Sequence, residues 1–158
     1  MALLAATLLG QLAARANRAD DATATVRRDG RSITVLFDRT APAGPLGPGW
    51  AKSEPGKGAL SADRTAYVLM PTSTAVGDVE LCLVLAADGP RARPVGVAID
   101  DHPIGAWTPR GVGQETACFL APSKVRFRSY DLLMVFDLAD GAPIRIVSAS
   151  SRIRPPAA

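Results

Sequence analysis

Residues 79–86 read VELCLVLA, and this run decides the fold class. Residues two apart in a strand share one face, so the alternating leucines predict a strand with one buried face. Turn signals such as Asp88-Gly89-Pro90 separate this run from others like it. The other runs cover residues 66–70, 95–99, 104–107, 116–120, 132–138 and 144–153. Eight or nine short strands at this spacing predict an antiparallel sandwich or barrel.

The part of the chain before residue 60 divides into a hairpin and a loop. Residues 22–26 and 32–37 are rich in β-forming side chains, and the Asp29-Gly30 pair between them is typical of a hairpin turn. Residues 40–58 contain four prolines and five glycines. We expect no regular element there, but a long loop of the kind that often carries function.

Composition excludes several classes of protein. The 158 residues fit one domain, and 47% hydrophobic content supports a packed core. Thirteen prolines and fourteen glycines argue against a helical bundle. One histidine and two cysteines exclude histidine-rich and Cys₄ metal sites. The formal net charge of +3 is mild, so we expect no nucleic-acid partner.

The N-terminus differs from the rest of the chain. Leu4, Leu8 and Leu12 form one apolar stripe, which predicts an amphipathic helix over residues 1–20. The apolar stretch is too short for a membrane span. The alternative is a signal peptide over residues 1–16, which has a suitable Ala14-Arg15-Ala16 end but no preceding Lys or Arg, and which would make the protein secreted or periplasmic. A β-sandwich domain over 21–154 and a disordered tail over 155–158 complete the predicted organisation.

Cys82 and Cys118 are 36 positions apart, each in an apolar run. We expect two reduced, buried thiols and therefore a cytoplasmic protein, since one disulfide would be an unusual single link in a secreted domain. A disulfide between them remains the alternative.

Candidates for catalysis are few. The lone histidine, His102, lies in a tight turn with Asp100 and Asp101, and no partner for a general base can be identified. We therefore predict no catalytic residue, no metal, no cofactor and no enzymatic activity. Lys124, Arg126 and Arg128 would form a basic stripe on one strand face. That stripe would bind an anionic ligand, or it would only be a solvated face that discourages edge pairing.

Trp50 and Trp107 are the best candidates for binding a ligand. Sugars stack their C–H faces on aromatic rings and need carboxylate or amide partners for their hydroxyls. Trp50 with Glu54 close by in the chain would supply both. The alternative is that both tryptophans pack into the core, since aromatics are only 5% of the chain.

Four motifs in order resemble a known family. They are GWAKSEPG at residues 49–56, VGVAIDDHPIGAW at 95–107, FLAP at 119–122 and LLMVF at 132–136. Together with the alternating strand at 79–85, they resemble the galactose-binding-like jelly-roll β-sandwich modules of bacterial glycosyltransferases and polysaccharide-assembly proteins. The resemblance covers residues 40–153 and implies an all-β, jelly-roll-like sandwich.

The resemblance implies a non-catalytic, carbohydrate-associated module in polysaccharide or glycoconjugate assembly, with a polysaccharide or a glycosyltransferase as partner. The predicted ligand residues are Trp50, Glu54 and Trp107, with Asp100 and Asp101 in the hairpin turn. The alternative is a structural or protein-interaction domain whose N-terminal helix docks a partner or a second copy, giving a homo-oligomer. An exposed Trp50 beside Glu54 favours the sugar ligand, and a buried one favours interaction.

Overall fold

The alternating runs of the sequence form strands, and no regular helix occurs in the residues that the structure describes. This computed structural model describes residues 25–29, 32–37, 46–72, 77–123, 132–138 and 141–154. The strands are Thr25–Asp29 (β1), Ser32–Leu36 (β2), Trp50–Glu54 (β3), Gly58–Ser61 (β4), Thr65–Met70 (β5), Asp78–Ala87 (β6), Val95–Ile99 (β7), His102–Trp107 (β8), Gly113–Ala121 (β9), Leu132–Asp137 (β10) and Ile144–Arg154 (β11). The predicted N-terminal helix, the basic stripe of Lys124, Arg126 and Arg128, and the C-terminal tail lie outside the described residues.

The larger sheet has seven strands arranged around β11. On one side, β11 pairs with β6 along its whole length, and β9 pairs with the far side of β6. The other side of β11 is shared by β2 and β4, which are followed outward by β1 and β3. The β1–β2 hairpin predicted at Asp29-Gly30 is confirmed, since Asp29 pairs with Ser32.

The smaller sheet has four strands in the order β5-β10-β7-β8, all antiparallel. The two sheets enclose one hydrophobic core built from alternate residues of their strands. In β6 the buried positions are Val79, Leu81, Leu83, Leu85 and Ala87. Full burial of one leucine side chain stabilises the folded state by about 1.5–3 kcal/mol, so the leucines of β6 contribute strongly to the stability of the core. The predicted all-β sandwich is confirmed.

The expectation of an irregular loop over residues 40–58 is wrong for its second half. Trp50–Glu54 and Gly58–Ser61 form the β3–β4 hairpin. Pro55 and Gly56 occupy the turn of this hairpin, and Gly58 begins β4 with φ of 80°. None of the three therefore interrupts the hydrogen bonds between β3 and β4. A Cβ atom at Gly58 would lie 2.1 Å from the Ile146 carbonyl oxygen, so this glycine lets the hairpin approach β11. Gly58, one of the glycines that led us to expect a loop, therefore allows two strands of the larger sheet to pack closely.

The expectation of reduced, buried thiols is also wrong. Cys82 and Cys118 form a disulfide between directly opposed positions of β6 and β9. Cys82 lies on the outward parity of β6, where it is half-buried, and Cys118 is exposed. The pairing depends on the β6–β9 register, and a separation of 36 residues along the chain does not reveal that register.

Candidate functional site

An open cleft lies where one edge of each sheet approaches the other. β8 ends the smaller sheet and β9 lies at an edge of the larger one. A Cβ atom at Gly105 would lie 2.6 Å from the Phe119 ring, so a glycine is needed for this approach. The cleft measures about 770 Å³, within the usual range of small-molecule sites. It is lined by residues 106–110 and 115–119.

Two aromatic side chains form the floor of this cleft. Trp107 is 5% exposed and Phe119 is 8% exposed, and both belong to the core. The Trp107 indole N–H donates a hydrogen bond to Glu115 Oε2 at 3.3 Å. The floor is therefore apolar and rigid, and its one polar atom is directed at a carboxylate.

Glu115 is fixed by three N–H donors. Its Oε1 accepts hydrogen bonds from the backbone N–H of Arg110 at 2.7 Å and of Gly111 at 3.3 Å, while Oε2 accepts the Trp107 bond. The Arg110 backbone hydrogen bond is the main reason that the pKa of Glu115 lies below its ordinary value; the Trp107 and Gly111 bonds add to the effect, and partial burial opposes it. The side chain is therefore an anion at neutral pH, held in one orientation.

The arrangement leaves polar groups available for a ligand. A carboxylate can accept about four hydrogen bonds, so the three that Glu115 already accepts leave room for one more. The Arg110 and Thr108 residues are exposed at the rim. An apolar floor beside a fixed acceptor, a guanidinium group and a hydroxyl can bind a small polyhydroxy molecule.

Trp50 lies in the sandwich at a distance along the sheets from this cleft, on the β3 side of the larger sheet. Its indole N–H donates to the Tyr67 carbonyl oxygen at 3.1 Å, and its ring meets Phe136 edge-to-face with centroids 5.5 Å apart. The residue is half-buried and packs against the core. The Trp50 ring and its N–H therefore both make contacts within the domain.

Glu54 is occupied by two cations. Its carboxylate forms ion pairs at 3.2 Å with Lys57 and with Arg145. The Lys57 hydrogen bond is the first cause, and Arg145 the second, of a Glu54 pKa below the ordinary value. These pairs tie the β3–β4 turn to β11.

Asp100 and Asp101 form the β7–β8 turn, at the opposite end of β8 from Trp107. Asp100 has φ of 53°, and its N–H donates to the Leu133 carbonyl oxygen. Burial, and then the charge of Asp101, raises the pKa of Asp100 to about 6. Asp101 and His102 are exposed. The five predicted ligand residues therefore lie in three separate places, and only Trp107 lines the cleft.

Glu115 and Arg110 were not among the predicted site residues. The sequence contains a signal for Glu115, because it shares the inward parity of β9 with Ala117, Phe119 and Ala121. A charged residue at an inward position of an otherwise apolar alternation indicates a polar contact at that point. Arg110 carries no such signal, since its role depends on the path of the β8–β9 loop.

A second cavity, of about 320 Å³, is lined by residues 61–64 around the β4–β5 loop, by Arg91 of the β6–β7 loop and by the β10–β11 loop. Arg91 crosses it and donates to the carbonyl oxygens of Leu138 and Ala142. Burial lowers the pKa of Arg91. This side chain joins the β6–β7 and β10–β11 loops, so we assign it a structural role.

Comparisons with known proteins leave the family open. No protein-family model matches the chain, and no curated protein matches it. A solved structure titled "CBM4 structure and function" is similar over 85% of this chain and 79% of its own, with 15% sequence identity and a TM-score of 0.35. A likeness this remote says nothing about the ligand. Within the described residues, no cluster of three or more potential metal-binding side chains occurs, and no helix is long and apolar enough to cross a bilayer.

Proposed function

We propose that this domain is a non-catalytic module that binds carbohydrate in the cleft between β8 and β9. The observation that carries the proposal is the ionised Glu115 carboxylate, held by Arg110, Gly111 and Trp107 above an aromatic floor. Such a preorganised acceptor costs little entropy when a hydroxyl binds to it. The exposed Arg110 guanidinium offers donors on the same rim.

The test begins with a glycan array on the purified domain, followed by calorimetry with the best glycan. Glu115→Gln keeps the size of the side chain and removes its charge. A hydrogen bond to a charged group contributes about 1.5–3 kcal/mol, so we expect affinity to fall by about 10- to 150-fold. The matched control is Glu54→Gln, a second partly exposed glutamate that lies on β3. It should bind the glycan like the wild type.

Two results would refute the proposal. One is an array that detects no glycan. The other is a folded Glu115→Gln variant with unchanged affinity. If Glu54→Gln is the weakened variant instead, the ligand binds beside β3, where Trp50 and Glu54 had predicted it. Circular dichroism of each variant separates lost binding from lost structure.

The wider context is proposed on the resemblance alone. It places such a module beside a bacterial glycosyltransferase or another polysaccharide-assembly protein. Co-purification of the tagged domain from its native cells, with and without the glycan that the array identifies, tests this context. Recovery of no glycan-processing protein would refute it.

A protein-interaction domain is the second candidate function, and one observation favours it. Trp50 is packed on Phe136 and its N–H is satisfied by Tyr67, as expected if that tryptophan serves the fold and not a sugar. In this version the N-terminal segment docks a partner or a second copy. Deleting residues 1–20 would then remove the association and leave the glycan array without a ligand.

We also propose that the domain works in an oxidising compartment. The Cys82–Cys118 disulfide supports the secreted or periplasmic alternative over the cytoplasmic one, because cytosolic thiols are usually kept reduced. Alkylation of protein rapidly quenched from its native cells tests this: an unlabelled pair of cysteines supports the proposal, and two labelled thiols refute it.

A further inference from the structure

Among the described residues, one side of β9 is an unpaired sheet edge. Among the described strands, β9 pairs with β6 alone, through a continuous register from Val79↔Ala121 to Ala87↔Gly113. Natural sheets usually protect such an edge with lysine, proline or a bulge. β8, the neighbouring edge, has Pro103 and a register shift. β9 has none of these, and its one charged side chain is Glu115, which is held in the cleft.

The disulfide shows which backbone groups of β9 point to the free side. Directly opposed residues lie about 4.5 Å apart (Cα–Cα) when they are not hydrogen-bonded and about 5.5 Å apart when they are. The Cα atoms of Cys82 and Cys118 are 4.0 Å apart, so Cys118 directs its N–H and C=O away from β6. By alternation, Gln114, Thr116 and Leu120 do the same. These four residues present a row of donors and acceptors along the edge.

Exposed apolar side chains flank this row. Within the described residues, the large hydrophobic side chains that remain exposed are Val112, at 82%, and Leu120, at 44%. Val112 directly precedes β9, and Leu120 is its penultimate residue. Both ends of the free edge therefore carry apolar surface that pairing with another strand would cover.

We propose that a second copy of this chain adds its own β9 to this edge, antiparallel, about a twofold axis at Ala117. In that register Gln114 faces Leu120 of the partner subunit, and Thr116 faces Cys118 of the partner subunit. Each of these pairs joins two residues with free backbone groups, so each exchanges two hydrogen bonds. Glu115 faces Phe119 of the partner subunit, and no like charges are opposed. Because β9 has no charged side chain besides Glu115, a second copy meets no charge repulsion at this edge, and the proposal does not rest on carbohydrate binding.

Sedimentation equilibrium of the full chain, over a range of concentrations, tests the pairing. An edge contact is at the small end of protein interfaces, so we expect a reversible dimer with a Kd of about 1 μM to 1 mM. Thr116→Pro removes an N–H that points away from β6, so it removes no bond from the β6–β9 ladder. We expect it to weaken dimerisation by about tenfold or more. The matched control, Thr116→Val, keeps the N–H and should dimerise like the wild type.

Thr116→Lys provides a second variant in case the proline disturbs the strand. It keeps the backbone intact and adds one positive charge per subunit near the axis, so it should also weaken the dimer by about tenfold or more, with partial recovery at high salt. A wild-type chain that stays monomeric up to about 1 mM overturns the proposal. So does a dimer that folded Thr116→Pro and Thr116→Lys variants leave unchanged.

Discussion

Replacing Asp100 by asparagine should stabilise the domain at neutral pH. Asp100 is half-buried in the β7–β8 turn, and its Oδ2 atom has no hydrogen-bond partner among the described residues. Its pKa is raised from the ordinary 3.8 to about 6, first by burial and then by Asp101. Above pH 6 the folded protein therefore holds a charge that its surroundings disfavour. Asparagine is neutral and tolerates the φ of 53° at this position.

The sign of the pH dependence follows from proton binding. Between pH 3.8 and about 6 the folded state binds more protons at Asp100 than the unfolded state does, so this group lowers the free energy of unfolding as pH rises through that window. The full shift corresponds to about 3 kcal/mol. Asp100 is only partly buried, so solvent screening reduces the expected effect to about 1 kcal/mol.

Urea denaturation at pH 3.5, 5 and 7.5 measures the effect. Asp100→Asn should match the wild type at pH 3.5 and exceed it by about 1 kcal/mol at pH 7.5, a rise in Tm of about 2–4 °C. Asp101→Asn is the control, because Asp101 is exposed and acts only through its charge on Asp100. It should give a smaller gain. A difference between Asp100→Asn and the wild type that is the same at all three pH values would refute this account.

Three further changes test other parts of the fold. Trp50→Ala should lower the free energy of unfolding by about 2–4 kcal/mol in urea denaturation, less than for a fully buried tryptophan because Trp50 is half-buried. A loss under about 1 kcal/mol would contradict its role in the core. Replacing Cys82 and Cys118 together by alanine should cost about 2–4 kcal/mol, because the disulfide restricts the unfolded chain; equal stability with and without reductant would contradict this. Arg91→Ala should lower the free energy of unfolding by about 1–3 kcal/mol, because it removes the donors to the Leu138 and Ala142 carbonyl oxygens. Arg93→Ala, at an exposed position, should lower it little, and similar losses for both variants would show that the Arg91 hydrogen bonds contribute nothing.

The candidate site was predictable in part. Trp107 was identified from its residue type, because a large aromatic near a turn is a common ligand contact. The tertiary structure places it against Glu115, eight residues later, across the β8–β9 loop. Asp100 and Asp101 were placed correctly in a turn, yet that turn lies at the other end of β8. The strand that follows the turn, predicted over residues 104–107, separates Asp100 and Asp101 from Trp107 in the structure.

The sequence by itself determined the strands that alternate regularly, though not β3 and β4, because the signal of alternation is local. A period of two in VELCLVLA requires only that neighbouring side chains alternate between core and solvent, and the β6 burial pattern follows it residue by residue. The same local logic identified the β1–β2 hairpin from the Asp29-Gly30 pair.

Only the tertiary structure decided which strands are neighbours and in what register. That choice joined Cys82 to Cys118, turned the glycine-rich stretch before Ser61 into a hairpin against β11, and directed the Trp50 N–H to Tyr67. The physical reason is that register is set by the packing of whole sheets. A shift of one residue would move every side chain of a strand to the other face, and no short stretch of sequence carries that constraint alone.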